Sequence, residues 1–208
     1  NVVETFYYSN TFVPHIALDA AVVTAIGSSV SETCPYLTMN DIVDVTLLYC
    51  DILRYEFIFS KPCQDMNEQI EQAVRRLIAL GIIVSVNEEL ALNVAQSETL
   101  KSTLAAFNVS YWSVAECLRT LHEKVQILES DFIKLCLTHM MEKFNDGTIT
   151  YGEAISTDTI KNCLKLLERW AVVEVDSQSG VRIVSLTSLY NTHSGVENVI
   201  DKIQRFVI

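Results

Sequence analysis

Apolar residues recur at helical spacing along most of this chain and alternate only in a few short stretches. Ile16, Ala20, Val23 and Ala25 lie near a helical period and predict a helix over Val13 to Ile26, which Ser28, Ser29 and Ser31 interrupt. Asn40 and Asp41 can cap a second helix, whose Ile42, Val45, Leu48 and Leu53 form an apolar stripe reaching about Phe59. Lys61-Pro62 ends it, because proline pushes the preceding residue out of the α region. Asp65 caps a third helix carrying Ile70, Ala73, Val74, Leu77 and Leu80. Gly81 then offers a terminator, and Ile82 to Val86 and Leu90 to Val94 read as two short strands about the polar turn Asn87-Glu88-Glu89.

The second half follows the same plan. Helical patterns over Ser97 to Phe107, Ser113 to Gln126, Ser130 to Phe144 and Thr157 to Trp170 lead into strands Val172 to Asp176 and Val181 to Leu186, with Gly180 in the turn. Shifting the numbering by 90 lays Ala73, Leu77, Leu80, Gly81, Ile82 and Ile83 on Cys163, Leu167, Trp170, Ala171, Val172 and Val173. A last helix, Val196 to Phe206, closes the chain. The pattern predicts a mainly α (α+β) protein of two winged-helix-like units, residues 1–94 and 95–208, each ending in a short β-hairpin, plus a C-terminal helix.

Composition narrows the possibilities. The 208 residues are 50% apolar with only 6 glycines and 3 prolines, which excludes collagen-like, low-complexity and disordered chains. The formal net charge of −11 opposes long-range attraction to DNA, RNA or an anionic bilayer, so no nucleic-acid partner is expected. Six cysteines, Cys34, Cys50, Cys63, Cys117, Cys136 and Cys163, are widely spaced with no C-x-x-C, as expected of buried reduced thiols in a cytosol-facing protein. Thr11 to Val30 is the most apolar early stretch, yet it contains His15 and Asp19, and no signal peptide or membrane-spanning segment is expected. The chain opens at Asn1 in mid-pattern, on the aromatic run Phe6, Tyr7, Tyr8, and is expected to be a piece of a longer protein.

Candidate chemistry is sparse. Neither G-x-x-x-x-G-K nor G-x-G-x-x-G occurs, so the sequence gives nucleotide binding no support, and there is no G-x-S-x-G elbow. Nothing ties a cysteine to His15, His122, His139 or His193. Cys136, His139, Met140 and Met141 could suggest a soft metal site, but such a cluster at helical spacing reads as packing. Asp146, Gly147, Ile149 and Glu153 fit the second half of an EF-hand loop. The entry positions are Glu142 and Phe144, however, and calcium needs about six to eight oxygens, so a helix end and turn are expected instead. Lys161, Lys165 and Arg169 share one helix face, as in a groove-binding helix, yet in so acidic a chain they read as a solvated face. Asn108-Val109-Ser110 is a glycosylation sequon without secretory context. No catalytic, cofactor-binding or metal-binding residue is assigned, and no cofactor or metal is expected.

Tyr7-Tyr8-Ser9-Asn10, then Val13-Pro14-His15, then Tyr55-Glu56-Phe57-Ile58-Phe59 give the chain a further character. These segments, followed by Leu80-Gly81-Ile82-Ile83, Ala95-Gln96-Ser97, Thr99, Leu100, Leu104 and Ala105, and Tyr111-Trp112, resemble the C-terminal region of membrane-bound glycerol-3-phosphate acyltransferases over nearly the first 130 residues. Ser9 stands where family members usually carry a basic residue. The family's chemistry resides in an upstream domain with a His-x-x-x-x-Asp pair, the histidine acting as general base on the glycerol hydroxyl. Here Asp19 follows His15 by four, while His122, His139 and His193 are followed at the fifth position by Ile127, Phe144 and Asn198.

The resemblance implies a non-catalytic C-terminal domain of a parent enzyme that transfers a fatty acyl group to the sn-1 hydroxyl of glycerol 3-phosphate. Its implied partner is the upstream acyltransferase domain of the same chain, and membrane association is implied only through that parent. The final Arg205-Phe206-Val207-Ile208 lacks a Ser-Lys-Leu-like address, which favours the mitochondrial outer membrane or a bacterial inner membrane over the peroxisome. A free-standing tandem winged-helix interaction or nucleic-acid-binding module is the alternative.

Overall fold

The structure is a computed structural model that describes residues 2–31, 35–59, 64–178 and 180–207, with residues 2–15 and 178 described by backbone alone. It is mainly α, with two small antiparallel sheets, and the chain divides into two compact units, residues 1–105 and 106–207.

The first unit begins with α1 (Val2–Ser29), followed by α2 (Met39–Ile52) and α3 (Met66–Ala79). The hairpin of β1 (Ile83–Val86) and β2 (Glu89–Leu92) and then α4 (Val94–Thr103) complete it. Helix α1 starts eleven positions ahead of the predicted Val13 and runs through Pro14. Phe6, Tyr7, Tyr8 and Phe12 therefore belong to α1, and their side chains lie outside the described residues. Thr38, rather than Asn40 or Asp41, caps α2. Its hydroxyl accepts from the Asp41 N–H at 3.2 Å while the Asp41 carboxylate accepts from the Thr38 N–H at 3.0 Å, a reciprocal capping box. The same helix stops at Ile52 instead of about Phe59: Leu53 caps it and its carbonyl accepts from both Glu56 N–H and Phe57 N–H in a turn. Lys61-Pro62 lies outside the described residues.

Asp65 caps α3 as expected, accepting from Asn67 N–H at 3.2 Å. Ile70, Ala73, Val74 and Leu77 of α3 enter a core with Val22, Val23 and Ile26 of α1, Ile42 and Val43 of α2, and Ile83 and Leu90 of the hairpin. Such burial is the principal favourable term, about 1.5–3 kcal/mol for each fully buried large side chain.

In the second unit, α5 (Ala105–Glu116), α6 (Leu118–Lys124), β3 (Gln126–Leu128), α7 (Glu129–Asn145), α8 (Thr157–Arg169), β4 (Val173–Gln178), β5 (Val181–Leu186) and α9 (His193–Gln204) follow in order. The patterns over Ser97 to Phe107 and Ser113 to Gln126 regroup as α4, α5 and α6. Val94 opens α4 instead of ending a strand. Strand β3, absent from the sequence-based prediction, pairs with β5 in the order β3-β5-β4, with Ile127 opposite Val184. Three residues are too short to show alternation, so only a partner strand reveals them. Tyr111, Leu118, Phe132, Cys136, Met140, Ile160, Leu167, Val184, Ile200 and Phe206 are buried here.

The two units share several backbone features. Helices α2 and α7 start at 39 and 129, and α3 and α8 end at 79 and 169. The bridge Leu37–Leu90 corresponds to the pair Ile127–Val184. Both α3 and α8 close in a Schellman motif with a left-handed residue: Gly81 (φ +72°) in one, Ala171 (φ +53°) in the other. Gly81 N–H donates to Ile78 O and Ile82 N–H to Leu77 O, while Ala171 N–H donates to Glu168 O and Val172 N–H to Leu167 O. After each hairpin one residue ties back twice. Asn93 donates from its backbone to Ile82 O and from its side chain to Gly81 O, and Thr187 does the same to Val172 O and Ala171 O.

Candidate functional site

A cluster of ionisable side chains in the second unit starts from two i,i+4 pairs. Helix α5 carries Trp112 and Glu116 one turn apart, and α7 carries His139 and Lys143 one turn apart. His139 Nε2 meets Glu116 Oε2 at 3.1 Å, and Lys143 Nζ bonds the same oxygen. Lys143 Nζ also lies 3.6 Å from the centre of the Trp112 ring, a cation–π contact. Arg119 of α6 approaches Glu116 Oε1 at 3.6 Å and grips Glu197 of α9 with two bonds of 2.7 Å.

Burial alone would raise the Glu116 carboxyl pKa, but hydrogen bonds from His139 and Lys143 and their charges outweigh it, so the group stays ionised below its ordinary range. The bond to Glu116 raises the His139 pKa against the opposing effect of burial. Cys117 lies beside the cluster. Its thiol is held low chiefly by the hydrogen bond from Cys136, with burial opposing, whereas Cys136 is pushed up by Cys117 and by burial. A carboxylate that already accepts from two cations is a poor general base, and the cluster reads chemically as an ion-pair brace joining α5, α7, α6 and α9. Its sequence signal, the two facing i,i+4 pairs, becomes visible only once α5 and α7 are known to be neighbours.

The singled-out residues are dispersed. His139 is engaged by Glu116 and not by a soft ligand set, Met140 is buried, and Met141 is exposed. Among the described residues no group of three or more His, Cys, Asp or Glu is placed to hold a metal ion. In the EF-like segment α7 ends at Asn145, Gly147 takes φ +82°, and the Asp146 carboxylate accepts from Thr148 N–H at 2.9 Å, so it serves the turn. Lys161, Lys165 and Arg169 are exposed on α8, opposite its buried Ile160, Cys163, Leu164 and Leu167.

His122 Nδ1 lies 3.0 Å from Asn191 Oδ1, and the His15 side chain lies outside the described residues. Asn108 of the sequon is buried and donates to Phe206 O at 2.9 Å, which removes it as a glycosylation acceptor in the folded unit. Cys50, Cys117, Cys136 and Cys163 are buried thiols, and Cys34 and Cys63 lie outside the described residues. Among the described residues no helix is long and apolar enough to cross a membrane.

The first unit presents a groove of about 360 Å³ beside the Tyr55–Phe59 segment, lined by Leu47, Arg54, Phe57, Phe59 and Met66 among others. Phe57 and Phe59 meet edge to face at 5.7 Å, and between them Ile58 is 90% exposed.

The fold is that of a mainly α protein with two helix-and-hairpin units and small antiparallel sheets. Residues 1–176 match the family described as glycerol-3-phosphate acyltransferase C-terminal region, and the chain belongs to that family. The match runs beyond the first 130 residues to the end of α8 and into β4. No curated protein matches the chain.

Proposed function

We propose that this chain is the non-catalytic C-terminal domain of a glycerol-3-phosphate 1-O-acyltransferase, and that it works by packing against the upstream acyltransferase domain and stabilising it. The observation that carries this reading is the family match over residues 1–176, in a chain that holds no His-x-x-x-x-Asp pair. Such a domain must present apolar surface to its neighbour, and the Tyr55–Phe59 segment offers it: a fully accessible Ile58 between two rings is costly in water and favourable once covered. Membrane association, at a mitochondrial outer or bacterial inner membrane, would come through the parent enzyme and rests on the family resemblance alone.

Replacing Ile58 by Asp tests the reading. The isolated 208-residue chain should keep its melting temperature, since the side chain contacts little in it, while the full-length enzyme should lose thermal stability and acyl transfer. Unchanged stability and activity of the full-length enzyme would overturn the assigned surface. Acyl transfer by the isolated chain would overturn the non-catalytic role.

The duplicated topology favours one second reading, a tandem winged-helix interaction module. Glu168 and Asp158 beside Lys161, Lys165 and Arg169, together with the net charge of −11, direct such a module to a protein and away from a nucleic acid.

A further inference from the structure

At the helix-to-hairpin corner the two copies carry different side chains on matching backbones. In the first unit the residue before the left-handed position is Leu80, and the turn after the hairpin brings Gln96 over it. Oriented with its nitrogen inward, the Gln96 amide donates to Gly81 O at 3.0 Å and Leu80 O at 3.3 Å and fills the corner. In the second unit the corresponding residues are Trp170 and Tyr190, both held by the same backbone bonds, Trp170 N–H to Leu166 O and Tyr190 N–H to Thr187 O. Here the corner is an open groove of about 270 Å³, lined by Trp170, Tyr190, Asn198, Val199 and Lys202.

The charge in this groove is one-sided. Lys202 Nζ sits 3.8 Å from the centre of the Trp170 ring, and among the described residues no carboxylate lies within ion-pair distance of it. The neighbouring acidic face of α9 is turned elsewhere, because Glu197 is gripped by Arg119 and Asp201 adds to the field on that same Arg119. In a chain of net charge −11, an ammonium held on an aromatic face without a counter-ion is a local attraction for an anion.

We propose that this groove binds a purine nucleotide, with the phosphate on Lys202, the base against the Tyr190 ring and the base edge at the Asn198 carboxamide. Each group has matching chemistry. An ammonium is a point charge for phosphate, a phenol ring is a stacking platform, and a carboxamide offers the donor and acceptor together that an adenine edge requires. The groove is small for a drug-sized ligand, for which pockets are about 300–1,000 Å³, and suits a mononucleotide lying partly in solvent. The missing glycine-rich loop excludes a backbone phosphate cradle only, and this site uses side chains. Four of its five lining residues lie beyond residues 1–176, so the groove belongs to this chain's own tail and not to the matched family region.

Trp170 reports on the test directly. Tryptophan fluorescence of the 208-residue chain should change saturably with AMP at submillimolar concentration, and Trp170→Phe should abolish the change. Lys202→Gln should weaken binding by about tenfold or more, the factor lost with one charge-assisted hydrogen bond, and Tyr190→Ala should weaken it too. Ribose 5-phosphate and adenosine should each bind far less well than AMP. Lys202 is exposed and Trp170 and Tyr190 are half-buried, so melting temperatures measured on each variant separate binding from folding, with the exposed Lys202→Gln as the variant expected to melt unchanged. No response to millimolar AMP, or an unaltered response in Lys202→Gln, would overturn the site. Inorganic phosphate binding as tightly as AMP would reduce it to a plain anion contact and overturn the nucleotide.

Discussion

Substituting Ala171 by Gly should stabilise the protein, although glycine is ordinarily the weaker choice. Ala171 follows α8 at φ +53° and is exposed, so the change removes a strained β-carbon and leaves no cavity. The left-handed conformation costs an L-residue roughly 1–2 kcal/mol. Glycine gives back about 0.5–1 kcal/mol through its freer unfolded chain, which leaves a net gain of about 0.5–1 kcal/mol. The surrounding bonds run through backbone atoms of residue 171 and are untouched: its N–H to Glu168 O at 2.9 Å and its carbonyl accepting from Thr187 Oγ1 at 2.6 Å. Urea unfolding should show a higher midpoint at constant slope, and melting should rise by about 2–4 °C per kcal/mol in a chain of this size. The mirror change, Gly81→Ala, should cost about 1 kcal/mol, since it imposes the same strain at φ +72° and sets a β-carbon 3.2 Å from the tip of Gln96. A neutral or destabilising Ala171→Gly beside a costly Gly81→Ala would refute the equivalence of the two motifs.

Two further outcomes follow from the same comparison and from the ion-pair brace. Leu128 stands at the N-cap of α7 with no side-chain cap bond, where Thr38 caps α2, and Asp131 already occupies the third helical position. Leu128→Thr should rebuild the capping box and raise stability by about 0.5–1 kcal/mol in chemical denaturation. The raised pKa of His139 means that its bond to Glu116 contributes fully below the unfolded-state value of about 6.5 and is lost as pH rises through the higher folded value. The stability gap between wild type and His139→Gln should therefore be widest in mildly acidic buffer and close above neutrality. A gap that widens with rising pH would contradict the charged pairing.

The sequence by itself determined α3 and α8 and the places where they stop, but not the end of α2. Asp65, Gly81 and Gly180 act within a few residues of themselves, so their roles as cap, terminator and hairpin turn need no partner to be seen. The shift of 90 was legible because Ala73 and Leu77 of α3 match the buried Cys163 and Leu167 of α8, and both helices then close in the same motif before a strand. Tertiary structure decided what depends on distant neighbours. Gln126–Leu128 is a strand only because β5 supplies hydrogen bonds nearly sixty residues later. Helix α1 reaches back to Val2, well ahead of the apolar spacing that revealed it. Glu116, His139 and Lys143 became one cluster through the packing of α5 on α7, and Trp170 met Lys202 through the return of α9. Helix caps and turns are written in local hydrogen bonds, whereas charge clusters and grooves are properties of surfaces that exist only after the chain has folded.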